Sequence, residues 1–69
     1  MYRQRVESSA VVSVGYDRKL RVLEVEVDGG AVYQYLGVPA REYFALVSAA
    51  SVGRYYNQQI KENYDFREA

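Results

Sequence analysis

Three groups of residues in this chain could do chemistry. The first is Tyr33-Gln34-Tyr35, two aromatics two residues apart. On a strand that spacing puts both rings on one face, where they can stack nucleobases. The second is Ser51-Val52-Gly53-Arg54, at the expected start of a helix. Helix N-termini carry free N–H groups and partial positive charge. Gly53 there lets a ligand approach the backbone, and Arg54 can grip phosphate in a bidentate way. The third is Tyr55 with Asn57, in the next turn. Tyr33, Tyr35, Ser51, Gly53, Arg54, Tyr55 and Asn57 are therefore the candidate ligand-binding residues. Each group also has a structural role open to it. The tyrosines serve equally as core or interface anchors, and Ser51 with Gly53 as an N-cap and a tight helix corner.

Catalysis finds little support. The chain has no His and no Cys, which removes the commonest general base and the thiolate and imidazole metal ligands. Ser8, Ser9, Ser48 and Ser51 have no imidazole to activate them. Glu24 and Glu26 read as exposed strand positions rather than a catalytic dyad. No phosphate loop, metal-ligand spacing or nucleophile elbow is present. The expectation is a non-enzymatic module without metal or cofactor.

The elements that must position these residues follow from period and punctuation. Residues 10–16 alternate, with Val12, Val14 and Tyr16 on one side and Val11, Ser13 and Gly15 on the other. Asp17-Arg18-Lys19 is a turn. Residues 20–27 form the cleanest strand, Leu23, Val25 and Val27 facing the core and Glu24 and Glu26 the solvent. Asp28-Gly29-Gly30 is a hairpin turn. Residues 31–36 are a third strand, which Pro39 ends while opening a helix. Residues 40–50 form that helix, with Tyr43, Phe44, Val47 and Ala50 on its apolar face and Leu46 widening it. A second helix is expected from about residue 52 to 63, with Tyr56 and Ile60 inward. Tyr64 and Phe66 are expected to fold back and close the core. The predicted fold is α+β: a three-stranded antiparallel β-meander followed by two α-helices packed on one face. Residues 1–69 make a single domain, with 1–8 a flexible arm or edge strand.

Composition bounds the partners. The 69 residues include nine basic and nine acidic side chains, a formal net charge of zero. Polynucleotide binders of this size are usually basic, so a phosphate-binding track here needs uneven placement. Arg3, Arg5, Arg18, Lys19 and Arg21 are the residues that could form it. Eight tyrosines beside two Phe and no Trp make the chain aromatic. No apolar run approaches the ~20 residues that span a bilayer, and the N-terminal stretch predicts no signal peptide. A domain this short buries only about 60% of its unfolded surface. With no disulfide to staple it, a homo-oligomer is expected, its second copy covering the open sheet face. Cysteine-free composition fits a cytoplasmic protein of a bacterium or phage.

The residues also resemble a known family. Ser8-Ser9, Gly15-Tyr16-Asp17, Leu23-x-Val25-x-Val27, Gly30 with Tyr33-x-Tyr35, and Val38-Pro39 match the KTSC domain family. The match continues through Tyr43, Ala49-x-Ser51-x-Gly53, Tyr55-Tyr56-Asn57, Ile60 and Tyr64. Val27 stands where an aromatic is frequent and Lys61 where Arg is common. The family occurs as free-standing bacterial and phage proteins and at the C-terminus of some lysyl-tRNA synthetases. The resemblance therefore implies a small module with RNA as a partner. Two functions are carried forward. One is binding of a nucleotide-containing ligand, either RNA or a small or cyclic nucleotide that the protein could sequester. The other is a protein-interaction or homo-oligomerisation module anchored by tyrosines.

Overall fold

Five strands and two helices make up the computed structural model, which describes residues 1–69. In chain order they are β1 (Gln4–Arg5), β2 (Val11–Asp17), β3 (Val22–Val27), β4 (Val32–Tyr35), α1 (Ala40–Ser48), α2 (Val52–Tyr55) and β5 (Phe66–Glu68). α2 runs on directly into a π-helical turn over Tyr56–Ile60. The strands form one antiparallel sheet in the order β1-β2-β3-β4-β5. The architecture is α+β, with both helices between β4 and β5.

The sheet has five strands where the sequence pattern predicts three. β1 and β5 span two and three residues, too short for a period-two pattern to show. β5 is held from outside its own segment: Leu36 donates to the Asp65 carbonyl and Ala69 to the Val32 carbonyl, both at 2.8 Å.

The β2 alternation is also corrected. Val11 pairs with Val27, but Ser13 already pairs with Glu26, so Val12 is an extra residue in a β-bulge. The bulge turns both Val11 and Val14 into the core. They join Leu23, Val25, Tyr35, Val38, Leu46, Val52, Tyr56 and Ile60 there. At the β3–β4 hairpin, Gly29 and Gly30 both take φ of +99°, which a side chain would strain.

The helices depart from expectation in two ways. α1 ends at Ser48 and turns on Leu46, which is fully buried, while Phe44 is 54% exposed and Ala50 lies outside the helix. The expected row of Tyr43, Phe44, Val47 and Ala50 is therefore rotated. The second helix is α-helical for one turn only. The Lys61 N–H reaches back to the Tyr56 carbonyl at 2.9 Å, a five-residue step that widens the turn. Tyr56 and Ile60 still both point inward. Phe66 does not close the core. It sits on β5 and is 56% exposed, whereas Tyr64 is partly buried with its hydroxyl donating to Glu42.

The face away from the helices carries a polar ladder. Arg67 Nε donates to Gln34 Oε1, Gln34 Nε2 to Glu24 Oε1, and Arg3 Nη1 to Glu24 Oε2 at 2.6 Å. Arg3 Nε also donates to Ser13 Oγ, whose hydroxyl donates to Glu26. Glu24 is buried beneath this cover, so it is not the solvated strand position its alternation predicts.

Candidate functional site

The main concavity lies between the β3–β5 side of the sheet and the second helical segment. Cross-strand pairs decide what lines it. Leu23 faces Tyr35 and Val25 faces Tyr33, and in turn Tyr33 faces Glu68 and Tyr35 faces Phe66. Residues paired across an antiparallel sheet share a face, so the Tyr33, Tyr35 and Phe66 rings all stand on the helical side. The Tyr33 and Phe66 rings meet edge to face, with centroids 5.6 Å apart and planes at 89°. From the opposite wall come Tyr56, Asn57 and Lys61. The result is a groove of about 590 Å³ with Glu62 and Glu68 also in its lining.

Tyr35 and Tyr56 form the floor rather than a free stacking surface. Tyr35 is 2% exposed and Tyr56 4%. Their hydroxyls bond to each other at 2.5 Å. Burial, then the Tyr56 hydroxyl, pushes the Tyr35 phenol far above its ordinary pKa. Burial raises Tyr56 as well. Neither phenol acts as a base near neutral pH. Tyr33 and Phe66 present the accessible ring surface, Lys61 the cation and Asn57 the amide.

The seven residues singled out from sequence thus divide. Tyr33, Tyr35 and Asn57 come together in the groove. Ser51, Gly53, Arg54 and Tyr55 do not join them. Ser51 Oγ accepts from the Arg54 N–H, so the cap is already filled from within the helix. Gly53 is buried, and a Cβ there would lie 2.9 Å from Ser8 Oγ. Close packing against the β1–β2 connection therefore explains this glycine, and no ligand can approach its backbone. The Tyr55 hydroxyl donates to Glu42, which also accepts from Tyr64, tying α2 to α1. That carboxylate bond raises the Tyr55 phenol, while burial and then the same carboxylate push Tyr64 up to about 12.

Lys61 and Phe66 are among the groove residues that lie outside those seven. Lys61 carried a signal, four residues after Asn57 and so on the same helical side. Phe66 carried none, because β5 is too short to announce itself.

The KTSC domain model matches residues 7–64. The chain belongs to the KTSC domain family. A protein of Stutzerimonas stutzeri is 42% identical over 64 residues, covering 93% of this chain and 90% of its own length. A lysine–tRNA ligase of Nostoc punctiforme is 34% identical over 62 residues, which cover 90% of this chain but 11% of the ligase. The crystal structure of a KTSC domain protein from Yersinia pestis superposes with a TM-score of 0.93 at 42% identity, covering 99% of this chain and 96% of that one. This member has a five-stranded antiparallel sheet with a helical pair, and none of its helices is long and apolar enough to cross a membrane.

Proposed function

We propose that this KTSC domain is a non-catalytic binding module that holds the base and one phosphate of a nucleotide-containing ligand in its aromatic groove. The observation that carries the reading is the convergence of the Tyr33 and Phe66 rings, the Lys61 ammonium and the Asn57 amide on one cavity. Its volume falls in the range of about 300–1,000 Å³ usual for small-ligand sites. Stacking a base on such a ring contributes about 1–3 kcal/mol. Lys61 replaces Arg54 as the phosphate-binding group in this reading. Glu62 and Glu68 repel a polyphosphate tail, so the ligand class narrows to a monophosphate, a cyclic nucleotide or one residue of an RNA strand. The phenols on the floor are protonated and bonded to each other, which favours binding over acid–base catalysis. A domain of this type within a lysine–tRNA ligase fits a nucleotide-containing partner, and a bacterial or phage cytoplasm is the proposed setting.

Calorimetric titration with mononucleotides and cyclic dinucleotides tests the proposal. Binding that Lys61→Ala and Phe66→Ala each weaken is the expected result. Absence of heat with every nucleotide in the panel sinks it.

One observation favours a second reading, self-association. Phe66 is 56% exposed on β5, a free sheet edge. An oligomer in native mass spectrometry that Phe66→Asp disperses, with no nucleotide bound, would establish that reading instead. Tyr35→Ala cannot separate the two, because Tyr35 lies in the core.

A further inference from the structure

A second set of rings stands outside the groove, at the opposite end of β2 from Ala10. Tyr16 stacks on Tyr43 with centroids 5.2 Å apart and planes 10° from parallel. Phe44 continues the row 5.4 Å from Tyr43 and is 54% exposed. Tyr2, 87% exposed, joins Tyr16 and Tyr43 in lining an open cleft of about 540 Å³, to which the β2–β3 turn adds Arg18 and Lys19.

Two cations and one carboxylate line this cleft, a net single positive charge. The chain's ion pairs join Arg3 to Glu24 and Glu26, which leaves Arg18 and Lys19 unpaired. Asp17 is the carboxylate; its Oδ1 accepts from the Lys19 and Leu20 N–H groups and so shapes the turn that presents the two cations, which outnumber it. Exposed rings beside unpaired cations match a strand whose bases are unstacked and whose phosphates lie close by. Base stacking on aromatics tolerates any sequence, since every base has a π face. A duplex keeps its bases stacked and offers no such faces.

We infer that the Tyr43–Phe44 row and the Arg18–Lys19 turn form a contact surface for single-stranded polynucleotide. This goes beyond the groove, shares no residue with it and does not depend on it.

The test is fluorescence anisotropy of the full chain with a labelled oligouridylate of about ten nucleotides. With each cation meeting one phosphate, affinity falls about sevenfold between about 50 and 200 mM salt. The R18A/K19A variant flattens that dependence, lowering its logarithmic slope by about 1.4. F44A weakens binding about tenfold and leaves the slope unchanged. All three side chains are exposed, and thermal unfolding of each variant checks that the fold persists. The inference is overturned by an intact chain that does not bind at low salt. It is equally overturned by R18A/K19A with the intact chain's slope, or by a chain that binds phosphatidylglycerol vesicles but no oligonucleotide. Mononucleotide titration of the same samples keeps the two surfaces apart. Oligouridylate binding that Lys61→Ala leaves unchanged, without mononucleotide binding, removes the groove proposal and leaves this one standing.

Discussion

The hydroxyls of Tyr35 on β4 and Tyr56 at the α2 junction bond to each other inside the core, 2.5 Å apart. Sheet and helix are thereby joined by a polar contact in an otherwise apolar interior, and no buried side-chain polar atom is left without a partner. The pair also forms the groove floor, so packing and site share the same two residues. Removing one hydroxyl strands the other. Tyr56→Phe or Tyr35→Phe is expected to cost about 1–3 kcal/mol, the penalty of an unsatisfied buried hydroxyl. The double Tyr35→Phe/Tyr56→Phe variant should cost less than the sum of the singles. Urea unfolding of all four proteins gives the cycle. Additive losses would show that the bond contributes nothing of its own.

The same phenols set the alkaline limit of the fold. Tyr35, Tyr56 and Tyr64 are held above their ordinary value of 10, Tyr64 at about 12. The native state therefore keeps protons that the unfolded chain releases. Their contribution is complete below pH 10 and is lost as pH rises toward 12 and beyond. Urea midpoints should hold steady through neutral pH and then fall above about pH 10. The tyrosinate absorbance of these three phenols should appear together with unfolding rather than before it. Removing the Tyr64 hydroxyl with Tyr64→Phe should make the decline less steep.

How legible the molecule was depends on the range of the interactions. β3 was readable because Leu23, Val25 and Val27 alternate with Glu24 and Glu26, and its hairpin because Gly29 and Gly30 mark it. The α+β class followed from those signals and from Pro39. β5 was not readable, since three residues gain strand geometry only from β4, far back in the chain. The Val12 bulge was hidden for a similar reason. A lone extra residue is defined by its partner strand, not by its own segment. The site followed the same rule. Tyr33, Tyr35 and Asn57 were identified from local pattern, while Phe66 needed the β4–β5 register. Ser51 and Gly53 showed their type correctly but not their task, which is capping and close packing.

Arg3 extends that lesson to the N-terminal arm. Its guanidinium reaches Glu24 at 2.6 Å and lies 3.9 Å from Glu26. The Gln34 side-chain bond holds the Glu24 carboxyl below its usual range, with burial opposing and Arg3 assisting. A carboxyl so lowered stabilises the fold above its unfolded value of 4.5, and that stability is lost as pH falls through the lower native value. Arg3→Ala should cost about 1.5–3 kcal/mol at neutral pH, the range for a hydrogen bond to a charged group. It should also shrink the acid-side loss. Urea midpoints for both chains across pH 2.5–7, about the span of carboxyl titration, check this. Parallel curves would mean that Arg3 does not act through Glu24.

Gly53 decides between the two accounts of the Ser51–Arg54 segment. A glycine kept open for a ligand has space over it, and in a helix such a residue gains about 1 kcal/mol on becoming Ala. Here the added Cβ would meet Ser8 Oγ at 2.9 Å and Ala10 Cβ at 3.4 Å. Ser8 cannot swing away freely, because its Oγ accepts from the Ala10 and Val11 N–H groups. Gly53→Ala should therefore destabilise, by the roughly 1–3 kcal/mol of an overpacked contact, despite its better helix propensity. Ser8→Gly in the same chain removes the obstructing atom, so the double variant should recover part of the loss relative to Ser8→Gly alone. Nucleotide affinity in the groove should not change in any of these folded variants. A stabilising Gly53→Ala that abolished nucleotide binding would return the phosphate site to the helix start and take it from Lys61.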